Sequence, residues 1–240
     1  MFFIDPIAQD LDYHDFADQD LFWTIPNFFN VISNIGFVFV GLWGLWKYGA
    51  EAICGSYRGP YLMLCAGILL TAFGSGWYHL FPANQSLVWD RLPMTIAFMS
   101  LFSLIIRDYI DEKTGRRLLV PLLLFGIGSI FYWYMTEEAG RGDLRPYALV
   151  QFLPLLLFPF IMLLYGPKHG SRLSLGLALL FYVVAKGAEF FDEAIYEALS
   201  HSVSGHSLKH LLAAAGSFCA LKAFVSLPKD SHYEPQVPRG

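Results

Sequence analysis

Three short stretches carry side chains that can do chemistry together. "GSGWYH" places Ser75 four residues before His79, "VWDRLPM" holds Asp90, and "GHSLKH" places His206 four residues before His210. Residues four apart share one helical face, so Ser75 with His79, and His206 with His210, each project from one side of a helix. Three neutral imidazoles that leave a fourth position open form a catalytic zinc site. Two histidines at i and i+4 are also the arrangement on which H-E-x-x-H relies. Zinc lowers the pKa of its bound water to about 7 and polarises a carbonyl. A carboxylate such as Asp90 can take that water's proton and pass it to a leaving amine. A hydroxyl such as Ser75 can orient the water or donate to an oxyanion. Singly, each of these residues is ordinary at a membrane interface, and only their joint placement argues for a metal. His14, His169, His201 and His232 fall in tails or loops and are read as non-ligands.

The elements that must position these residues are apolar. The chain has 240 residues, 55% hydrophobic and 15% charged, with mean hydropathy +0.46. A soluble domain carries about a quarter charged residues. Seven segments approach the roughly 20 apolar residues of a membrane span: Asn27–Trp46, Pro60–Phe81, Arg91–Arg107, Leu118–Tyr134, Tyr147–Tyr165, Leu173–Phe191 and His206–Ser226. Polar and Gly/Pro-rich stretches between them read as loops. Lipid admits only helices or closed barrels, and segments this long favour helices. The expected fold is all-α, an integral membrane bundle of seven transmembrane helices. Residues 1–26 form an acidic N-terminal tail, 27–226 the bundle and 227–240 a C-terminal tail. In that topology His79 ends span 2, Asp90 opens span 3, and His206 with His210 opens span 7. All four lie at one depth, whichever way the protein is inserted. Spacing does not decide whether spans 2 and 7 touch.

Charge orients the bundle. Lys47, Arg58, Arg107, Lys113, Arg116, Arg117, Lys168, Arg172, Lys229 and Arg239 fall on one side, against Arg91, Arg141 and Arg145 on the other. The positive-inside rule then puts the N-terminus outside and the C-terminus inside. The first 26 residues hold no Lys or Arg, the reverse of a cleavable signal. Net charge is −4, and no basic run or RNA-binding motif suggests nucleic acid. No protein partner is implied. Cys54, Cys65 and Cys219 are scattered and read as apolar filler. Lys186 and Glu189, three apart in span 6, read as an intrahelical ion pair, with a headgroup contact as the alternative. Arg145 in "RGDLRPY" reads as a charged cap on span 5, with the same alternative.

The S-x-x-x-H, the following aspartate and the H-x-x-x-H, ordered across seven spans, resemble the alkaline ceramidase family. That family belongs to a superfamily of seven-helix membrane hydrolases that includes the adiponectin and progestin receptors. "NFFNVISN" in span 1 and "LPM" in span 3 extend the likeness over nearly the whole chain. The resemblance implies that His79, His206 and His210 hold zinc. Asp90 would position and activate the zinc-bound water, with Ser75 hydrogen-bonding near it. It implies hydrolysis of the amide of a membrane lipid, ceramide or another N-acyl lipid, to a fatty acid and a free amine, the sphingoid base. Members of the family also carry an N-terminal calcium site with a glutamate opening span 1. Here Asn27 stands at that position. Asp18, Asp20 and Asn27 are the calcium candidates, and a solvated acidic tail is the alternative. Two other functions fit seven helices: a zinc-containing lipid receptor without turnover, and a transporter or retinal photoprotein. The photoprotein needs a mid-span lysine in span 7, whereas Lys209 and Lys222 sit near its two ends.

Overall fold

The structure is a computed structural model that describes residues 5–50, 53 and 55–225. Cys54, Lys229, His232, Arg239 and the 227–240 tail lie outside the described residues. The described chain is helical, with no strand beyond an isolated bridge between Phe22 and Ile25. Its helices are α1 (Phe28–Ile32), α2 (Ile35–Gly49), α3 (Arg58–Leu80), α4 (Asn84–Ile105), α5 (Glu112–Glu138), α6 (Arg145–Leu164), α7 (Arg172–Phe190), α8 (Asp192–Ala198) and α9 (Gly205–Lys222). α4 runs on through a wider turn at Ile106–Ile110.

Six helical stretches are long and apolar enough to cross a membrane: Phe28–Gly49, Gly55–Leu80, Asn84–Ile110, Glu112–Glu138, Arg145–Leu164 and Arg172–Phe190. The surface supports that reading. Large apolar side chains such as Phe39, Leu124, Leu163 and Phe190 face outward, whereas Asn30, Thr95, Ser100 and Ser103 are buried. That is the arrangement lipid imposes, since polar groups must find partners inside the bundle. α9 falls outside the six because two histidines and two lysines lower the hydropathy of its 18 residues.

Several boundaries differ from the sequence expectation. "NQSLVWD" is not a loop but the first turns of α4, so Asp90 sits inside the helix. The Ala83 N–H is met by Ser86 Oγ at 3.1 Å. Only Asp111 separates the α4 extension from α5, because its carboxylate accepts the Thr114 N–H at 2.6 Å and caps the new helix. "DEAIYEA" forms α8 where a loop was expected. The Ser204 lead-in behaves as expected: its Oγ accepts the Ser207 N–H at 3.0 Å and starts α9.

The main helix contacts run α3 with α4, α7 with α9, α4 with α5, and α2 with both α3 and α9. Two glycines set the approaches that matter for the site. A Cβ on Gly74 would collide with the carbonyl oxygen of Trp89. Pro93 stands four residues after Trp89 and has no N–H to give that carbonyl, so the bare carbonyl faces Gly74. A Cβ on Gly205 would collide with the Ala188 carbonyl, so the start of α9 lies against the end of α7.

Candidate metal centre and cavity

His79 lies in the last turn of α3, and His206 and His210 in the first two turns of α9. Gly74 seats α3 on α4 and Gly205 seats α9 on the end of α7, and α3 and α9 meet directly. The three ring centroids form a triangle with sides 4.8, 4.9 and 4.9 Å. All three rings are buried, and one ligand atom from each lies within 4.8 Å of the others. His79 Nε2 stands 3.3 Å from His210 Nε2, while His79 Nδ1 is buried with no partner. The contact between the helices of His79 and of His206 with His210, which spacing left open, is thus made. These three side chains can hold a metal ion, and no other group of three or more His, Cys, Asp or Glu does so among the described residues.

Neighbours fix the rings. Ser33 Oγ lies 2.8 Å from His210 Nδ1 and 3.2 Å from the Asn30 carbonyl. If His210 Nδ1–H donates to Ser33, and Ser33 to Asn30, both donors are satisfied and His210 Nε2 keeps its lone pair. This is how a second partner orients a ligating histidine. Asn27 Nδ2 donates to the His79 carbonyl at 2.8 Å. Asn30 Oδ1 accepts from Ser204 Oγ at 3.2 Å and Ser207 Oγ at 2.8 Å. The Asp192 carboxylate accepts the His206 N–H at 2.7 Å. Lys209 Nζ lies 3.1 Å from His206 Nε2 and 2.8 Å from Glu189 Oε1. Asn30, Ser33 and Ser207 were not singled out from the sequence; Asn27, Glu189 and Lys209 were, but in other roles. A signal was there: Asn27, Asn30 and Asn34 recur every three to four residues in "NFFNVISN", a polar stripe on one helical face.

The N-terminal segment covers the cluster. The Phe16 ring packs on His79 at 4.7 Å and on His206 at 4.8 Å. Ala17 N–H reaches Asp192 and Gln9 N–H reaches Glu137. Asp18 is fully buried, whereas Asp10, Asp12, Asp15 and Asp20 are exposed, so the solvated-tail alternative fails at Asp18, where burial pushes the carboxyl upward. Asp18 Oδ1 accepts the Asp20 N–H at 3.0 Å, Asp20 Oδ2 accepts the Tyr196 hydroxyl at 3.2 Å, and the Asn27 nitrogen is engaged by His79. A calcium ion takes six to eight oxygens. Of the two carboxylates, Asp18 Oδ2 is the buried oxygen with no partner. His14, expected to be idle in a tail, bridges Tyr78 and Asn84 at 2.9 and 3.0 Å.

A cavity of about 460 Å³ opens beside the cluster. Ser75, Asp90, Arg91, Lys186, Glu189, Lys209 and His210 line its polar end, and the Ser75 hydroxyl lies against the Asp90 carboxylate. The rest is apolar. It runs from Ser75 to Leu64 on α3, Asp90 to Leu101 on α4 and Lys209 to Ala220 on α9, about 16 Å of helix at a rise of ~1.5 Å per residue. Lys186 and Glu189 pair as expected, and Glu189 also takes Lys209 at 2.8 Å. Arg145 grips Asp143 through Nε and Nη2, both at 2.7 Å. It is the first residue of α6, whose N-cap is Leu144, and is not among the residues lining the cavity.

The Ceramidase family model matches residues 18–166, more than half of the chain. The chain belongs to the ceramidase family, whose members hydrolyse the amide of ceramide, so membership implies lipid amide hydrolysis. The matched stretch contains Ser75, His79 and Asp90 and ends before α7, so the meeting of His206 and His210 with His79 is an independent observation. No curated protein matches the chain.

Proposed function

We propose that this protein is a zinc-dependent intramembrane amide hydrolase that cleaves ceramide or a related N-acyl lipid. The observation that carries the proposal is the meeting of His79, His206 and His210 at the polar end of an apolar cavity, beside Asp90 and Ser75. The donor set favours zinc. With Zn–N near 2.0–2.1 Å, two ligands of a tetrahedral ion stand about 3.3 Å apart, which is the His79–His210 separation. Bound there, zinc would supply Lewis acidity and lower the pKa of water.

The protein's own groups do the rest. The apolar walls take the acyl chain from lipid and bring the amide to the depth of Asp90. Asp90 takes a proton from the attacking water as the C–O bond forms at the carbonyl carbon. It returns that proton to the amide nitrogen as the C–N bond breaks, leaving a fatty acid and a free amine. Ser75 holds the Asp90 carboxylate in place and hydrogen-bonds near the reacting water. Phe16, lying over His79 and His206, keeps bulk water off the cluster. In this proposal α9 is the seventh span, its polar residues sheltered by its neighbours. The catalytic bundle is residues 27–226, and the N-terminus is outside. Calcium has no part in it.

The test is zinc per protein by mass spectrometry on wild type and His206→Ala, with hydrolysis of an N-acyl lipid panel alongside. About one zinc in wild type, much less in the variant, and cleavage by wild type alone are expected. A folded wild type that takes up no added zinc would sink the proposal.

A further inference from the structure

Arg91 has no part in the chemistry above. It follows Asp90 on α4, is 5% exposed and lines the polar end of the cavity. Aromatic rings hold its guanidinium: Trp133 at 4.5 Å, Tyr147 at 4.8 Å and Tyr13 at 5.5 Å. Nη2 donates to Gln9 Oε1 at 2.7 Å, a neutral acceptor. Nη1 is buried with no partner. Among the described residues no carboxylate lies within ion-pair distance of it.

An arginine does not lose its proton, so an unpaired buried guanidinium is costly unless a ligand completes it. The carboxylates nearby are engaged. Glu189 is shared by Lys186 and Lys209, Asp10 takes the Asp12 N–H at 3.1 Å, and Asp90 is the proton carrier. A rigid fork with an unused N–H, on a residue that lines a cavity, suits a carboxylate or phosphate. The acyl chain occupies the apolar length, so the amine half of the substrate lies at the polar end, beside Arg91.

We propose that Arg91 recognises an anionic group on the amine half of the substrate, so that an acidic N-acyl amine is preferred over a neutral one. This rests on the hydrolase proposal and narrows its substrate class. Whether the anion is a carboxylate or a phosphate is resolved by the probes.

The probes share one acyl chain and one amide: N-lauroylglycine (carboxylate), N-lauroylphosphoethanolamine (phosphate) and N-lauroylethanolamine (neutral). Affinity and hydrolysis are measured for each, on protein in lipid nanodiscs. Wild type is expected to bind one acidic compound at least about ten-fold tighter than the neutral one, the worth of one charge-assisted hydrogen bond. Which acid is favoured identifies the anion. Arg91→Gln should lose that preference while keeping its zinc and its affinity for N-lauroylethanolamine. If Arg91→Gln does not fold, Arg91→Lys keeps the charge without the fork and should retain a smaller preference. Equal wild-type affinity for all three probes overturns the inference, as does a uniform loss in Arg91→Gln. Arg91-dependent preference without any cleavage would sink the hydrolase proposal and leave anion recognition standing. Cleavage without preference would do the reverse.

Discussion

α4 carries a buried carboxylate and a buried arginine at each end: Asp90 with Arg91, and Asp108 with Arg107. The two ends lie about 27 Å apart at ~1.5 Å per residue, close to the ~30 Å of a bilayer's hydrocarbon core. At the Asp108 end every carboxylate oxygen is occupied. Oδ1 accepts from His169 N–H at 2.9 Å and the Tyr57 hydroxyl at 3.2 Å, and Oδ2 from Gly170 N–H at 3.0 Å. Arg107 lies over Tyr57 and pairs with Glu112 at 2.8 Å, although two of its nitrogens have no partner. At the Asp90 end the histidine nitrogens face one another, His79 Nδ1 has no partner, and Arg91 has no carboxylate. Only this end opens on the large apolar cavity. Burial of charge therefore does not distinguish a structural clasp from a site. Unused hydrogen-bonding capacity beside a cavity does.

The largest expected effect is at the histidine end. His210→Ala should abolish zinc retention and, with it, hydrolysis, while the detergent-purified protein stays folded. Asp90→Asn should keep its zinc and lower turnover about 10²–10⁴-fold, the usual worth of a general acid–base group; full turnover would remove Asp90 from the chemistry. The opposite end should behave in the opposite way. Asp108→Ala leaves two N–H groups and a hydroxyl unpartnered and should cost about 3 kcal/mol of stability, read by thermal unfolding, with zinc per folded protein unchanged. A folded Asp108→Ala that had lost its zinc would break the contrast.

The smallest effect belongs to the ion pair at the start of α6. The Arg145 guanidinium beside Asp143 holds that carboxyl down at about 2, against an ordinary 3.8. A depressed acid stabilises the fold above its unfolded pKa, and that share is lost as pH falls from about 4 to about 2. Asp143→Asn should therefore flatten the fall in melting temperature across that window. An unchanged slope would mean that the pair contributes nothing measurable.

Much of this molecule is legible in its sequence. The apolar segments lie within a few residues of the helices, except where polar residues extend a helix. "NQSLVWD" looks like a loop by hydropathy, yet Ser86 and Pro93 fit it to a helix that meets Gly74. Six spans satisfy length and composition, and α9 falls short of them because of the histidines and lysines that make it interesting. Lys186 with Glu189 is readable from i,i+3 spacing, but Lys209, which completes their triad, comes from another helix. Phe16 and Asp18 look like tail residues because nothing local says that the segment folds back over the site.

By itself the sequence determined most of the helices and the residue types available for a metal and a proton. Periodicity, length and composition are local or counting properties, and they survive any arrangement of neighbours. Only the tertiary structure decided that α3 meets α9, that Ser33 and Asn30 orient His210, and that Arg91 faces the cavity without an anion. Those outcomes depend on which backbone stands opposite a small residue. Gly74 and Gly205 permit a close approach, but a missing Cβ does not name the helix that fills its place.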